Sequence, residues 1–370
     1  MLYLPPMRAA VLETYNEPLT VGEVDVESPR PGEVAVAIAA CGVCHSDLSA
    51  ANGSFPLPVP SVLGHEAAGV VAAVGEGVTR VAVGDHVVLT PSPACGHCYW
   101  CVRGEFSICS DVSGLVTSTF PDGGTRLSRG GEVVYRGLNV GAFAETVIIP
   151  ESGAITIADD IPLEVACVVG CAVQTGVGAV LNTAKVPVGA TVLVMGLGGV
   201  GLSCVQGARL ASAARVIAVD PVAERREAAL RLGATDVLDP TAGDVAQQAL
   251  DLTGVGVDYA FEAAGKGSLV ATCVNSTRPG GTSVVVGAAA LDDDIELGPA
   301  VIFGAGEKKL LGCLLGSSHG PRDIPRYLDM WRAGHLDLEG LITATRPLDD
   351  INEAFADLAA GVGIRTVLTL

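Results

Sequence analysis

The run Gly196-Leu197-Gly198-Gly199-Val200-Gly201 stands where an apolar stretch at 191–195 gives way to an amphipathic one, and that arrangement leaves the chain few folds to choose from. Gly196 permits a sharp turn out of a strand, Gly198 lets the backbone approach a pyrophosphate, and Gly201 lets the following helix pack close on the strand. A helix opening at about residue 200 then points its free N–H groups at the phosphates. The next apolar run, 215–219, ends on Asp220, nineteen residues past Gly201, where a carboxylate accepts both ribose hydroxyls of an adenosine and disfavours a 2′-phosphate. The pattern predicts NAD rather than NADP. Arg225 and Arg226 follow, and either could reach the ribose or offer a phosphate contact. A glycine-rich turn with no ligand is the plainer reading, and strand, glycines and acid together disfavour it.

Around this unit, apolar runs at 191–195, 216–219, 235–238, 258–262, 283–287 and 310–314 alternate with helical stretches at 200–212 and 223–232, the latter stopped by Gly233. Six strands alternating with helices predict a doubly wound parallel sheet. Upstream, the runs 34–40, 67–74 and 86–89 are short and bounded by turns such as Pro31-Gly32-Glu33 and Gly75-Glu76-Gly77, which predicts a partly open barrel or sandwich. The C-terminal residues return to mixed structure. The expected division is a catalytic domain over 1–172, a nucleotide domain over 173–314, and a return to the first domain over 315–370.

The 370 residues carry 22 Lys+Arg against 41 Asp+Glu, a formal charge of −19. Such a surface repels nucleic acid and acidic membranes alike. Residues 1–30 show no basic segment leading an apolar run, and no stretch reaches the ~18 apolar residues of a spanning helix. The expected location is the cytoplasm, with no nucleic-acid or membrane partner.

Cys95, Cys98, Cys101 and Cys109 fall within fifteen residues, at the spacing of a closed structural zinc site. Four thiolates leave no open position for substrate, so chemistry has to sit elsewhere. Cys44, at the end of another apolar run, and His65, after a Pro-rich loop, offer two legs of an open zinc site, with Cys171 a candidate third. Each alone reads equally well as a core residue. Cys41, Cys167, Cys204, Cys273 and Cys313 sit in apolar runs and read as core thiols.

Seven motifs stand in one order: Cys-Gly-Val-Cys-His-Ser-Asp at 41–47, Gly-His-Glu-Ala-Ala-Gly at 64–69, the four-cysteine lobe, Gly170-Cys171 with Gln174-Thr175-Gly176, the glycine fingerprint, Asp220, and Gly363-Ile364-Arg365-Thr366. In that order they resemble the zinc-dependent medium-chain alcohol dehydrogenases, from about Arg8 to Leu370. The long segment between Cys109 and Gly141 is similar to the dimeric alcohol dehydrogenase and glutathione-dependent formaldehyde dehydrogenase branch. The resemblance implies a Rossmann doubly wound parallel sheet plus a β-rich GroES-like catalytic domain, two Zn2+ per chain, NAD, and a homodimer. It implies an enzyme that interconverts alcohol and aldehyde or ketone by hydride transfer from a zinc-bound alkoxide.

Residue by residue, the resemblance makes Cys44, His65 and Cys171 the ligands of the catalytic zinc, and Cys95, Cys98, Cys101 and Cys109 those of the structural one. It has Asp47 orient His65 and Glu66 assist ligand exchange. Ser46 begins a proton relay. Relatives often end that relay on a histidine three residues later, where this chain has Ser49; a serine is no base near neutral pH, so ribose and ordered water are expected to finish it. His45 lies near the pyrophosphate. Thr175 and Val200 hold the nicotinamide, Gly196, Gly198, Gly199 and Gly201 the phosphates, Asp220 and Arg225 the ribose, and Arg365 the pyrophosphate.

By the same resemblance Phe55, Pro91, Leu115, Ala288 and Leu314 line the substrate pocket. Pro91 and Ala288 are smaller than the groups relatives often carry, which leaves room for bulky or aromatic primary alcohols; a pocket methylene is worth about 1–3 kcal/mol of preference. Alternatives on the same scaffold are a thiol-dependent formaldehyde dehydrogenase and an acceptor-dependent alcohol oxidoreductase with retained NAD. A non-enzymatic NAD-binding protein is the alternative of another class, and an intact zinc-activating set argues against it. An edge strand at 283–291 is expected to pair two nucleotide domains across a two-fold axis.

Overall fold

The computed structural model describes residues 4–370. They divide into two compact units, one of residues up to 171 with 319–332 and 342–370, the other of 172–318 with 333–341.

In the second unit, Thr191–Met195 lies inside a six-stranded sheet whose every pairing is parallel. The order across it is Asp236–Leu238, Arg215–Val219, Thr191–Met195, Val257–Glu262, Thr277–Val285, Lys309–Gly312. Val192, Leu193 and Val194 are fully buried, as expected of a strand covered on both faces. The chain builds outward on one side of Thr191–Met195 and then on the other, so the fingerprint at that strand's carboxyl end sits where strand order reverses. Helices Gly199–Leu210, Ala223–Leu232, Val245–Thr253 and Gly267–Ser276 make the crossovers.

The expected edge strand at 283–291 requires correction. Thr277–Val285 is interior, paired on both sides, and the edge is Lys309–Gly312. The expectation comes from the resemblance, and the pairing overturns it: the strand has a neighbour on each side, with Val284 fully buried. The edge strand Lys309–Gly312 exposes Lys309 and Leu311.

The first unit combines a closed barrel with a seven-stranded sheet. The barrel links Met7–Leu12, Thr20–Val26, Leu127–Arg129, Glu132–Arg136 and Ser61–Val62. In the sheet, Glu33–Gly42 runs antiparallel to Glu66–Val74 and places Gly42 opposite Glu66. That register matters for function, because Cys44 leaves the first strand just after Gly42 and His65 enters the second just before Glu66. A side chain on Gly42 would collide with Glu66 Oε1 at 2.2 Å, so only glycine allows the approach. The strands Arg365–Thr369 and Ile342–Pro347 complete the sheet from the C-terminal end of the chain.

A buried ion network fastens the segment after Cys109 to the start of Glu33–Gly42. Arg126, at φ +67°, donates through Nε to Glu33 at 3.1 Å and through Nη2 to Asp122 at 2.9 Å. Glu33 and Arg126 are both buried, while Asp122 is partly open to solvent. Among the described residues, no single helix is long and apolar enough to cross a membrane.

Candidate active site and metal centres

Cys44 caps the helix His45–Ala51, which begins as soon as the strand Glu33–Gly42 ends. Asp47, in the first turn of that helix, is fully buried and organises what surrounds it. Its Oδ2 accepts the Cys44 N–H at 3.0 Å, and its Oδ1 accepts the Gly64 N–H at 2.9 Å and faces His65 Nδ1 at 3.0 Å. Nδ1 is thereby held as the protonated nitrogen, which turns the Nε2 lone pair inward. His65 Nε2 stands 3.2 Å from Cys171 Sγ, and the ligand atoms of Cys44, His65 and Cys171 all lie within 4.8 Å of one another. Cys171 arrives from the turns Leu163–Ala166 and Cys167–Gly170; a side chain on Gly170 would meet the Leu89 carbonyl at 2.6 Å.

Two thiols and an imidazole converging in a buried pocket, with no fourth donor in the cluster among the described residues, fit a zinc that keeps one position open. Charge is balanced nearby. Arg365 Nε lies 3.3 Å from Glu66 Oε1, and its Nη1 donates to the Val43 carbonyl at 2.7 Å. Burial works against the Arg365 charge, yet Glu66, Cys44 and Cys171 hold its guanidinium above the usual range. Burial also opposes charge on His65, and Asp47 overrides it and holds the imidazole above its usual range. In contrast, burial pushes the Cys41 and Cys167 thiols well up, as suits inert core residues.

The second cluster is Cys95, Cys98, Cys101 and Cys109, whose sulfurs lie 4.0 Å (Cys95 to Cys101) and 3.9 Å (Cys98 to Cys109) apart. A tetrahedron of ~2.3 Å zinc–sulfur bonds has edges of about 3.8 Å, so the four thiols already stand at coordination distance. Backbone N–H groups point at the sulfurs, from Cys95 to Cys109 and from Cys98 to Cys95. The N–H groups of Ser110 and Cys101 bring the Cys98 thiol down to about 5, whereas burial pushes Cys109 up to about 12. Four sulfurs so close cannot all ionise without a cation between them. His97 is exposed and bonds the Cys95 carbonyl, outside the shell.

The other predicted residues of this unit fall as follows. Ser46 Oγ stands 3.9 Å from Cys44 Sγ and is half-buried; Ser49 lies one turn on, and His45 is exposed at the helix start. Pro91 is buried, and Phe55 and Leu115 are half-buried.

In the other unit, Gly196 takes φ +88°, and a side chain on Gly201 would strike the Gly196 carbonyl at 1.8 Å. A side chain on Gly198 would meet nothing within 4 Å, which leaves open space over the loop for a ligand. Gly199 opens the helix, and Val200 is half-buried in its first turn. Asp220, buried, accepts the Leu197 N–H at 2.8 Å and the Val222 N–H at 2.9 Å, tying its carboxylate to the glycine turn. Arg226 is used structurally, donating to the Asp220 and Pro221 carbonyls and pairing with Asp239 at 3.1 Å, while Arg225 is half-buried beside it. Thr175 Oγ1 is buried with no protein hydrogen-bond partner, as a group awaiting a cofactor amide would be. Ala288 is exposed, and Leu314 is 39% exposed.

Residues 30–159 match the alcohol dehydrogenase GroES-like domain, and residues 199–332 the zinc-binding dehydrogenase domain. The S-(hydroxymethyl)glutathione dehydrogenase of Haemophilus influenzae is 40% identical over 366 residues, 98% of this chain and 96% of that one. The enzyme of that name from Synechocystis is 38% identical, over 98% and 99%. Benzyl alcohol dehydrogenase from Acinetobacter calcoaceticus superposes with a TM-score of 0.94 at 30% identity, covering 99% of this chain and 100% of that one. An alcohol dehydrogenase zinc-binding domain protein from Burkholderia ambifaria gives 0.93 at 36%, over 99% of each. With two metal-ready thiol clusters on a GroES-like unit and a fingerprint on a Rossmann sheet, the chain belongs to the zinc-dependent medium-chain alcohol dehydrogenase family. It is an oxidoreductase.

Sequence reasoning missed two residues of the first unit, Arg136 and Asn139. A strand ending in Val-Val-Tyr-Arg followed by Gly-Leu-Asn reads as an exposed turn, and nothing in it announces that both polar side chains are buried.

Proposed function

We propose that the chain oxidises uncharged, bulky or aromatic primary alcohols with NAD, and reduces the matching aldehydes, using two zinc ions per chain. The observation that carries this is the open three-ligand cage of Cys44, His65 and Cys171 braced by Asp47. A zinc ion held there supplies a Lewis acid that lowers the pKa of an alcohol and favours loss of hydride. Asp47 keeps His65 in the ligating tautomer and ties Cys44 and Gly64 into one frame. Ser46 Oγ receives the substrate proton and passes it toward the cofactor ribose and water, since Ser49 offers no base. Arg365 offsets the negative charge of Glu66 and the two thiolates and also serves the pyrophosphate, while Glu66 assists ligand exchange.

Gly196, Gly198, Gly199 and Gly201 hold the pyrophosphate, Asp220 and Arg225 the adenosine ribose, and Thr175 and Val200 the nicotinamide. Asp220→Ala is expected to lower the ratio of kcat/KM with NAD to that with NADP at least about tenfold, since a buried carboxylate facing a 2′-phosphate is a repulsive element worth more than 1 kcal/mol. An unchanged ratio would count against the ribose role.

Charge distribution bears on substrate class. All four lysines, Lys185, Lys266, Lys308 and Lys309, belong to the nucleotide unit. In the unit that carries the cage, every arginine except Arg80, Arg136 and Arg326 lies within 4.0 Å of a carboxylate. A glutathione adduct presents carboxylates that need a free cation, and an uncharged alcohol does not. The 38–40% identity to S-(hydroxymethyl)glutathione dehydrogenases favours the adduct as a second reading. Kinetics with benzylic, terpenoid and aliphatic alcohols, and with formaldehyde in the presence and absence of glutathione, decide between them. Strict dependence on glutathione would overturn the first reading.

We further place the chain as a cytoplasmic homodimer. None of the eleven cysteines is in a disulfide, which suits a reducing compartment. Leu311 on the edge strand Lys309–Gly312 is exposed, as are Val301 and Ile302 on the helix Ala300–Ala305 that precedes it in the chain. Ile302→Glu combined with Leu311→Lys is expected to give a monomeric mass by light scattering; an unchanged dimer would exclude this face.

A further inference from the structure

The turn Gly137–Asn139 is strained and buried at once. Leu138 takes φ +52° and Asn139 φ +65°, two successive left-handed residues, neither of them glycine. Such a pair persists only where its surroundings overdetermine it. Arg136, 1% exposed, donates through Nη2 to the Asn139 carbonyl and, at 2.6 Å, to its Oδ1. The Arg136 guanidinium lies 3.9 Å from the Phe120 ring centroid, and its Nε and Nη1 have no other hydrogen-bond partner. Asn139 Nδ2 in turn donates to the Pro91 carbonyl at 2.9 Å. Its Oδ1 lies so near Gly114 that a side chain there would collide at 2.0 Å. Past the turn, the N–H groups of Ala142 and Phe143 bond the Gly64 and Leu63 carbonyls, immediately before His65.

One buried amide therefore touches both Pro91 and Gly114, next to Leu115, while the same turn is pinned to the strand leading into a cage ligand. We infer that Arg136 and Asn139 form a brace that positions the pocket wall of Pro91 and Leu115 relative to the metal cage, and so sets the size of alcohol the site accepts. The inference rests on the proposed alcohol reading for its substrate, and on the contacts alone for its mechanics. Arg136 and Asn139 are positioning residues; they act through Pro91 and Gly114 rather than on the substrate.

Asn139→Gly is the informative variant, because glycine accepts φ +65° without strain and only the amide is lost. In the zinc-loaded enzyme, the ratio of kcat/KM for benzyl alcohol to that for ethanol is expected to fall about tenfold, through KM, with kcat changed less than twofold. Asn139→Asp, which keeps an acceptor for Arg136 but loses the donor to Pro91, should restore part of the ratio. Hydrogen–deuterium exchange, which needs no substrate, should rise in 89–92 and 114–117 and stay unchanged in the nucleotide unit. An unchanged ratio, or equal losses of kcat for both alcohols, overturns the brace as a specificity device. Unchanged exchange in those segments overturns it even if the wild type oxidises no alcohol, an outcome that would itself refute the alcohol reading.

Discussion

Asp47→Ala is expected to empty the catalytic cage while leaving the four-cysteine lobe loaded, so that metal analysis finds one zinc per chain instead of two. Three donors lose their acceptor together, the Cys44 and Gly64 N–H groups and the His65 ring. Each buried donor left unpaired costs about 1–3 kcal/mol. Loss of a carboxylate behind a ligating histidine typically lowers metal affinity or activity about 10–100-fold, and here the same carboxylate also fixes the backbone of a second ligand. A decrease of more than 100-fold in kcat/KM is expected. Asp47→Asn retains one acceptor and should fall between. Two zinc ions retained, with kcat/KM within threefold of wild type, would refute the frame built around Asp47.

The second large effect is on stability. Glu33→Ala leaves the Arg126 guanidinium buried with only Asp122 to face it. Removing one partner of a buried pair costs about 3–5 kcal/mol, and the half-open Asp122 places this case near the lower bound. Thermal melting should detect it, and Glu33→Met with Arg126→Met should recover part of the loss. Acid sharpens the comparison. The hydrogen bond from Arg126 is the main reason the Asp122 carboxyl is held at about 2, below its ordinary 3.8. A depressed carboxylate stabilises the fold fully above the ordinary value and loses that contribution as pH falls through about 2. Wild type should therefore lose stability between about pH 4 and pH 2, and Arg126→Met should flatten that segment of the profile. An identical acid profile in both would show that Asp122 does not contribute.

Legibility differed between the units for physical reasons. In the nucleotide sheet the interior strands Thr191–Met195 and Arg215–Val219 are apolar runs covered on both faces and set off by helices, so composition alone marks them; the helix Ala223–Leu232 and its stop at Gly233 lie where the pattern puts them. The barrel of the other unit was readable only as β-rich. Its closure depends on strands as short as Ser61–Val62, too brief to show a period. The misplaced sheet edge has a different cause, since it was carried over from the resemblance, and strand order is set by tertiary pairing that no local pattern shows. Cys95, Cys98, Cys101 and Cys109 announce themselves by local spacing, whereas Cys171 joins Cys44 and His65 only after the chain has folded, and resemblance rather than spacing proposed it. Arg136 and Asn139 had no signal at all, because what distinguishes them is backbone torsion and burial.

The placement of the lysines has a use in the laboratory. Apart from the chain's amino terminus, every primary amine lies on the nucleotide unit, and Lys185, Lys266 and Lys309 are exposed there. Lys308 is partly covered and donates to the Val274 and Thr277 carbonyls. An amine-reactive resin should therefore capture the molecule in few orientations, all by its dinucleotide half, with the metal cage left untouched by the coupling chemistry. A fluorophore ester would likewise place all of its lysine labels on one unit.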